Sequence, residues 1–489
     1  MEPDLHEEIS QFRRDGALAV LLHGSRHLSY RIVVAFFVLG SLAHLWLADA
    51  WEWDWLVSNL VFLAGLALLL WRGAALGWLL CALAKLISLL FLRDQLTQSM
   101  VLLFFGMAGF VFMAYDGWRA TRSPRGAPTL ETSYGALSSG EASFFDVFRA
   151  ITVLVYALAA LHKLNRDFID PTLSCASYGL QKLAHYWHVE LAALPETLVG
   201  ASPSLVLATE IGIVALFLCG LRRAAWWLAV AFHIPLTLTM APAYAFVMLA
   251  GHAAFARPDD IAAIQLVLSR FWGPIAAVAT LLTALSLYRH GRWPEASMVP
   301  KEWLLWALLA TLSLLIARHG LARYPLKGRL RFRPAPALIV LLFALNGLSP
   351  YLGLRFHHTG AMVSNLRIDE GCWNSLIFSE RMRISEDYVR VDFTYMREPG
   401  FMPTYERIVL EQLWSPPQIR QMRRNWCKQR LRPFYLEGTF RGQGFAIEDL
   451  CDDQRLPFGA DGVFGIELFE DSLRFQKNLM RQCPKTCIH

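Results

Sequence analysis

Apolar residues fill most of the first 350 positions in long blocks broken by short polar turns, and beyond them the pattern changes to alternation. A helix that crosses a bilayer needs about 20 apolar residues, slightly fewer when its ends snorkel. Blocks of this kind occupy residues 30–48, 55–71, 73–92, 97–115, 145–163, 204–220, 225–242, 262–287, 302–317 and 335–349. Several meet across turns as short as Trp71-Arg72-Gly73, which predicts antiparallel helical hairpins. The stretch 243–255 follows Pro235 and Pro242 and is too short to span, so it reads as a re-entrant or broken segment. Such a segment is tolerable only where protein or a cavity covers its freed backbone groups. The first 29 residues are polar (Glu2, Asp4, Glu7, Glu8, Arg13, Arg14), so no cleavable signal peptide is expected and the run from Tyr30 serves as an uncleaved anchor. Towards the C-terminus, Tyr388–Tyr395, Phe434–Phe440 and Val463–Phe469 alternate apolar with polar residues, the period of half-buried strands, and a polar helix is expected over Pro416–Arg430.

Composition sharpens this division. Of 489 residues 55% are hydrophobic and only 18% charged, against about 25% charged in an average soluble domain. The last 139 residues hold 37 of the 86 charged side chains. The expected fold is therefore an all-α polytopic membrane bundle of about nine or ten transmembrane helices followed by a small β-rich extracytoplasmic domain. Its parts are a cytoplasmic segment 1–29, a transmembrane domain 30–349 and a soluble domain 350–489, with a flexible linker over 116–143. This composition excludes a disordered chain, a collagen and a purely disulfide-built secreted scaffold. A dispersed net charge of +6 gives no footprint for nucleic acid. The partner implied is the lipid bilayer itself, the inner or plasma membrane.

Orientation follows the lysine and arginine bias of the loops. Arg119, Arg122 and Arg125, then Arg222 and Arg223, then Arg323, Lys327, Arg329, Arg331 and Arg333 mark cytoplasmic loops. Asp49, Glu52, Asp54 and the long segment 164–203 fall outside, and Arg289, Arg292 and Lys301 dissent. Cys81 and Cys219 lie in apolar helices, whereas Cys175, Cys372, Cys427, Cys451, Cys483 and Cys487 all fall in outside segments, which makes them disulfide candidates whose pairing stays open. Cys483, Cys487 and His489 lack a fourth ligand nearby, so no metal is expected.

Chemistry concentrates at the outer end of the fifth helix. Lys163 closes a fully apolar run. Burying an ammonium is costly, and a neutral amine in its place can act as a base. The alternative is that Lys163 snorkels to the interface. His233, mid-helix before Pro235, is an intramembrane histidine and so a functional candidate, or else a partner for the carbonyl that proline frees. Glu210 and Lys85 are the other intramembrane charges; Glu210 can pair with Lys85 or with Lys163. His185-Tyr186-Trp187-His188 reads as an interfacial helix over a pocket mouth.

The stretch Val155–Phe168, VYALAALHKLNRDF, resembles a segment of the vitamin K-dependent gamma-carboxylases and the related horizontally transferred transmembrane (HTTM) domain proteins, a helix ending in AG-x-K-K-L-[DN]-x-[DN]-W. Downstream, Phe232-His233 followed by Ala243–Leu249 resembles that family's FH and FSYVML-like run, and Met362–Arg367 is similar to bacterial members. The resemblance spans roughly the first 350 residues. It implies an integral membrane enzyme of carbon–carbon lyase or ligase type that oxidises a reduced quinone, menaquinone or vitamin K hydroquinone, with O2 to an epoxide. That oxidation is coupled to proton abstraction from a glutamyl or other acceptor, a protein or peptide at the outer face, and to capture of CO2. Lys163 then takes the first proton. His233, His162 and Gln98 join it as catalytic candidates, and Tyr156, Asn165, Tyr244, Phe246 and Met248 as residues contacting the quinone. The family's Asn-His pair at the start of the fourth span is matched here by Thr97 and Gln98, and glutamine accepts no proton near neutral pH. His162 would replace it only by facing the same side as Lys163, although neighbours on a helix point about 100° apart. The soluble domain is also much shorter than in animal family members. A transporter is disfavoured by the few intramembrane charges and the lack of a repeat; a non-catalytic scaffold whose outer domain binds a partner is the competing reading.

Overall fold

The computed structural model describes residues 20–25, 27–47, 53–90, 97–122, 138–186, 195–239, 244–256, 334–354, 359–369 except 362, 371–384, 388–429, 431–452, 456–458, 479–484 and 487, with a few isolated positions besides. The block expected at 262–287, apart from isolated positions, and all of the block at 302–317, the strand at 463–469, and Trp187, His188 and His489 lie outside the described residues. The helices are α1 (Leu28–Leu47), α2 (Trp53–Arg72), α3 (Ala75–Leu90), α4 (Thr97–Arg122), α5 (Ser139–Lys163), α6 (Arg166–Ile169), α7 (Cys175–Tyr186), α8 (Glu196–Leu218), α9 (Arg222–Thr239), α10 (Tyr244–Ala253) and α11 (Pro334–Leu348). Among the described residues four helical stretches are long and apolar enough to cross a membrane: Leu28–Leu45, Gln98–Arg119, Ser139–Lys163 and Glu196–Leu218. Shorter apolar helices, including Leu56–Arg72 and Ala75–Leu90, accompany them.

Polar chemistry sets the helix ends that apolar length leaves vague. α5 begins six residues before the apolar block because Ser138 caps it: the Ser138 hydroxyl accepts from the Glu141 amide at 3.0 Å and the Glu141 carboxylate accepts from the Ser138 amide at 2.9 Å. Between α2 and α3 the chain reverses at Gly73, whose φ of 64° suits a residue without a Cβ. The Gly73 carbonyl accepts from Tyr30 Oη at 2.7 Å, and that oxygen accepts from Trp78 Nε1 at 2.7 Å. Trp78, fully buried, packs on Phe37, Phe144 and Phe148, and Phe148 stacks on Phe105 at 4.1 Å. α1, α3, α4 and α5 thus share one aromatic core.

The broken segment is a ten-residue helix, α10, buried along Ala245–Ala253. Its closing carbonyls are met by arginines: Arg149 Nε donates to Ala254 O at 2.7 Å and Arg222 donates to Phe255 O at 3.1 Å. Protein therefore covers the backbone groups that a short helix leaves open.

The C-terminal region is a five-stranded antiparallel sheet ordered β4-β3-β1-β2-β5, built from β1 (Val389–Met396), β2 (Gln412–Trp414), β3 (Phe434–Phe440), β4 (Gln443–Ile447) and β5 (Leu479–Met480). Helices α12 (Pro403–Glu411) and α13 (Pro416–Trp426) accompany it, around a core that includes Val389, Val391, Ile419, Phe434 and Leu450. The six cysteines named as disulfide candidates form three disulfides, Cys175–Cys487, Cys372–Cys483 and Cys427–Cys451, so Cys483 and Cys487 are joined to different partners. The first ties α7 to the C-terminal tail. Buried Arg367, paired with Asp369 at 2.7 Å, also donates to Met480 O at 2.7 Å, which fastens β5 to the segment that follows α11.

Candidate functional site

Three helices, α5, α8 and α9, with the start of α10, surround an apolar cavity of about 250 Å³. On α5, Tyr156, Ala159 and Lys163 recur at spacings of three and four and so share one face. α8 brings Leu205, Val206 and Glu210, α9 brings Phe232 and His233, and α10 opens with Tyr244. Gly179, Leu180 and Leu183 of α7 form a side wall, and Gly360 and Val363, from the segment after α11, complete the lining. The Cys175–Cys487 disulfide stands at this wall.

Lys163 is 5% exposed and Glu210 3%, so neither snorkels to open solvent within the chain. Lys163 Nζ donates to Glu210 Oε1 at 2.8 Å and to Ala159 O at 3.4 Å, and lies 5.9 Å from the centre of the Phe168 ring. Of the two partners the sequence leaves open for Glu210, Lys163 is the one it meets; Lys85 instead contacts His44 Nε2 at 2.9 Å. A second polar unit lies beside the pair. Tyr156 Oη sits 2.7 Å from His233 Nε2 and 2.9 Å from His252 Nε2. One hydroxyl carries one proton, so Tyr156 donates to one imidazole and accepts from the other. The two histidines therefore present opposite states at Nε2, and the three residues form a chain along which a proton can move.

The structure gathers Lys163, His233, Tyr156 and Tyr244 at the cavity and sets the other candidates elsewhere. His162 points away from Lys163: its Nδ1 meets Tyr351 Oη at 3.0 Å and its Nε2 donates to Thr359 O at 3.1 Å. Asn165 caps α6, accepting from the Phe168 amide at 2.8 Å and donating to the carbonyls of His162 and Ser364. Gln98 is buried in the first turn of α4 and does not line the cavity. Phe246 packs with Ala43, Ala245 and Leu249, and Met248 belongs to the main core. His252 is the functional candidate that sequence reasoning passes over. Its signal is the rule that picks out His233, an imidazole inside an apolar run.

Compared with protein-family models, with curated proteins and with solved structures, the chain matches none of them.

A cavity of this kind suits a small apolar head group. Its volume lies just below the roughly 300–1,000 Å³ of ordinary ligand pockets, and its few polar groups come from α5, α8, α9 and the start of α10. The Lys163–Glu210 contact places an amine and a carboxylate 2.8 Å apart in a low-dielectric wall, where their attraction is stronger than in water.

Proposed function

We propose that the chain is an integral membrane enzyme with about nine or ten spans, its C-terminal domain extracytoplasmic, that oxidises a reduced quinone with O2 in the cavity beside Lys163 and couples this to proton abstraction and carboxylation of an acceptor at the outer face. The observation that supports the reading is a lysine buried on the wall of an apolar cavity, with a carboxylate and a tyrosine–histidine chain beside it. Oxidation of the quinol by O2 gives the epoxide and water, and supplies the strong base that carboxylation needs. The chain's own part is to exclude water, orient the quinol and accept its first proton. The Lys163–Glu210 pair accepts that proton by either of two routes. From the ion pair it goes to Glu210; from the neutral pair it goes to the Lys163 amine. Both routes end with an ammonium and a carboxylic acid, and the ammonium faces the oxygen that lost the proton. Tyr156 and its two histidines offer a path by which a second proton leaves the cavity.

The test is epoxidation of reduced menaquinone by the purified protein in detergent, followed by mass spectrometry of the quinone. Epoxide is expected from the wild type and none from Lys163→Ala. No epoxide from a folded wild type that binds the quinol would refute the reading and favour a scaffold that presents its outer domain to a partner.

A further inference from the structure

Glu210 has more acceptor capacity than Lys163 uses. Its Oε1 takes the Lys163 ammonium at 2.8 Å, while Oε2 is buried and meets no hydrogen-bond donor among the described residues. The residue is 3% exposed and stands on the cavity wall. Buried carboxylate oxygens are seldom left without a donor, and one that is marks a place where a ligand or ordered water belongs. Two neighbouring polar groups on the wall are already engaged. Tyr156 Oη lies between two imidazoles, and Ser202 Oγ contacts Ser177 Oγ at 3.1 Å and donates to Val199 O at 2.8 Å. Lys163 and Glu210 together carry no net charge, so the site has no surplus charge to hold an anionic or cationic head group. Rings of Phe168, Phe232 and Tyr244 line the same space.

From this geometry we infer that the cavity selects a neutral, apolar, aromatic ligand bearing a hydroxyl group, and that Glu210 Oε2 accepts the hydrogen bond from that hydroxyl. The ligand class is a phenol or hydroquinone, as distinct from its methyl ether or its oxidised quinone. The inference rests on the quinol reading for the identity of the natural ligand, and it adds a residue that distinguishes the reduced from the oxidised form before any chemistry occurs. A reduced ring donates to Glu210; an oxidised ring offers two carbonyls and leaves Oε2 unsatisfied. Discrimination of this kind is strong because the mismatched ligand strands a buried polar group.

The experiment titrates the purified full chain in detergent with 1-naphthol and with 1-methoxynaphthalene, which differ by the donor. Neither probe requires oxygen or turnover. Wild type is expected to bind 1-naphthol about tenfold more tightly or better, the ratio for a hydrogen bond to a charged acceptor. In Glu210→Leu the ratio should fall to about twofold or less. Equal affinities in the wild type overturn the inference without recourse to any variant, as does failure to bind either probe. Should Glu210→Leu not fold, Glu210→Met keeps a similar volume and removes the acceptor oxygen; an undiminished ratio in either variant assigns the preference elsewhere and overturns the role of Glu210. A naphthol preference in a protein that makes no epoxide would sustain the inference while refuting the oxidation.

Discussion

Lys163 and Glu210 are stable inside the apolar bundle because each removes the other's penalty. Taking one partner away strands a buried charge, at a cost of about 3–5 kcal/mol, whereas replacing both by apolar groups of similar volume is often close to neutral. Glu210→Leu should therefore lower the unfolding temperature strongly, and Lys163→Met combined with Glu210→Leu should restore most of it. Thermal unfolding of the four proteins of this cycle in detergent checks the coupling, and additive losses would mean that the 2.8 Å contact contributes nothing. At this scale the sequence is informative about which residues matter and poor about whom they meet. Lys163 and His233 stand out because a charge or an imidazole inside an apolar block needs a reason. The partner of Glu210 does not, since Lys85 and Lys163 both lie in apolar helices and only the packing of α5 on α8 chooses between them. His162 and Asn165 belong to the same motif as Lys163 and yet serve the scaffold. One residue of offset on a helix turns His162 to Tyr351, and Asn165 begins a new helix.

Helices and strands were legible wherever the apolar period is long, and their ends were not. Ten apolar blocks mark the helices, and those within the described residues fall close to them, but α5 starts at Ser139 because of a polar capping box and α4 runs through Asp116 to Arg122. β4 escapes the strand pattern because Gln443-Gly444-Phe445-Ala446-Ile447 is short and holds a glycine. It pairs with β3 through a two-residue turn at Arg441-Gly442, both at positive φ (51° and 74°), the geometry that matches the twist of a hairpin. The usual Asn-Gly or Asp-Gly cue is absent from that turn. α10 supplies Tyr244 to the cavity wall and His252 to the chain through Tyr156. It lies against α5 where Gly251 meets Thr152, and a Cβ there would overlap the threonine hydroxyl. Gly251→Val should push α10 away from α5 and destabilise the protein by about 1–3 kcal/mol, the usual range for overpacking. A thermal midpoint unchanged from wild type would show that this contact has room to spare.

For the whole molecule, the C-terminal sheet region is fastened to the helical bundle beside α7 and the segment after α11. Cys175 and Cys487 are 312 residues apart, a pairing no local spacing could indicate, and their bond holds the tail against the wall of the cavity. Arg367, held by Asp369, anchors β5 at the same junction. Cys487→Ser should cost about 2–5 kcal/mol, as loss of a native disulfide commonly does, and should make the tail a substrate for limited proteolysis while the sheet core stays intact. A tail as resistant as in the wild type would mean that β5 and Arg367 hold it unaided. The division into an apolar block and a charged domain was plain from composition. How the two join was not, because the junction is built from a disulfide and from arginine hydrogen bonds to carbonyls more than a hundred residues away in the chain.

The most direct measurement is the fate of labelled oxygen. Purified wild-type protein is supplied with reduced menaquinone under ¹⁸O₂ in unlabelled water, and the quinone is recovered and weighed by mass spectrometry. One heavy oxygen atom in each epoxide, absent with Lys163→Ala, is the expected result. Quinol bound in the cavity but returned without heavy oxygen would contradict the account.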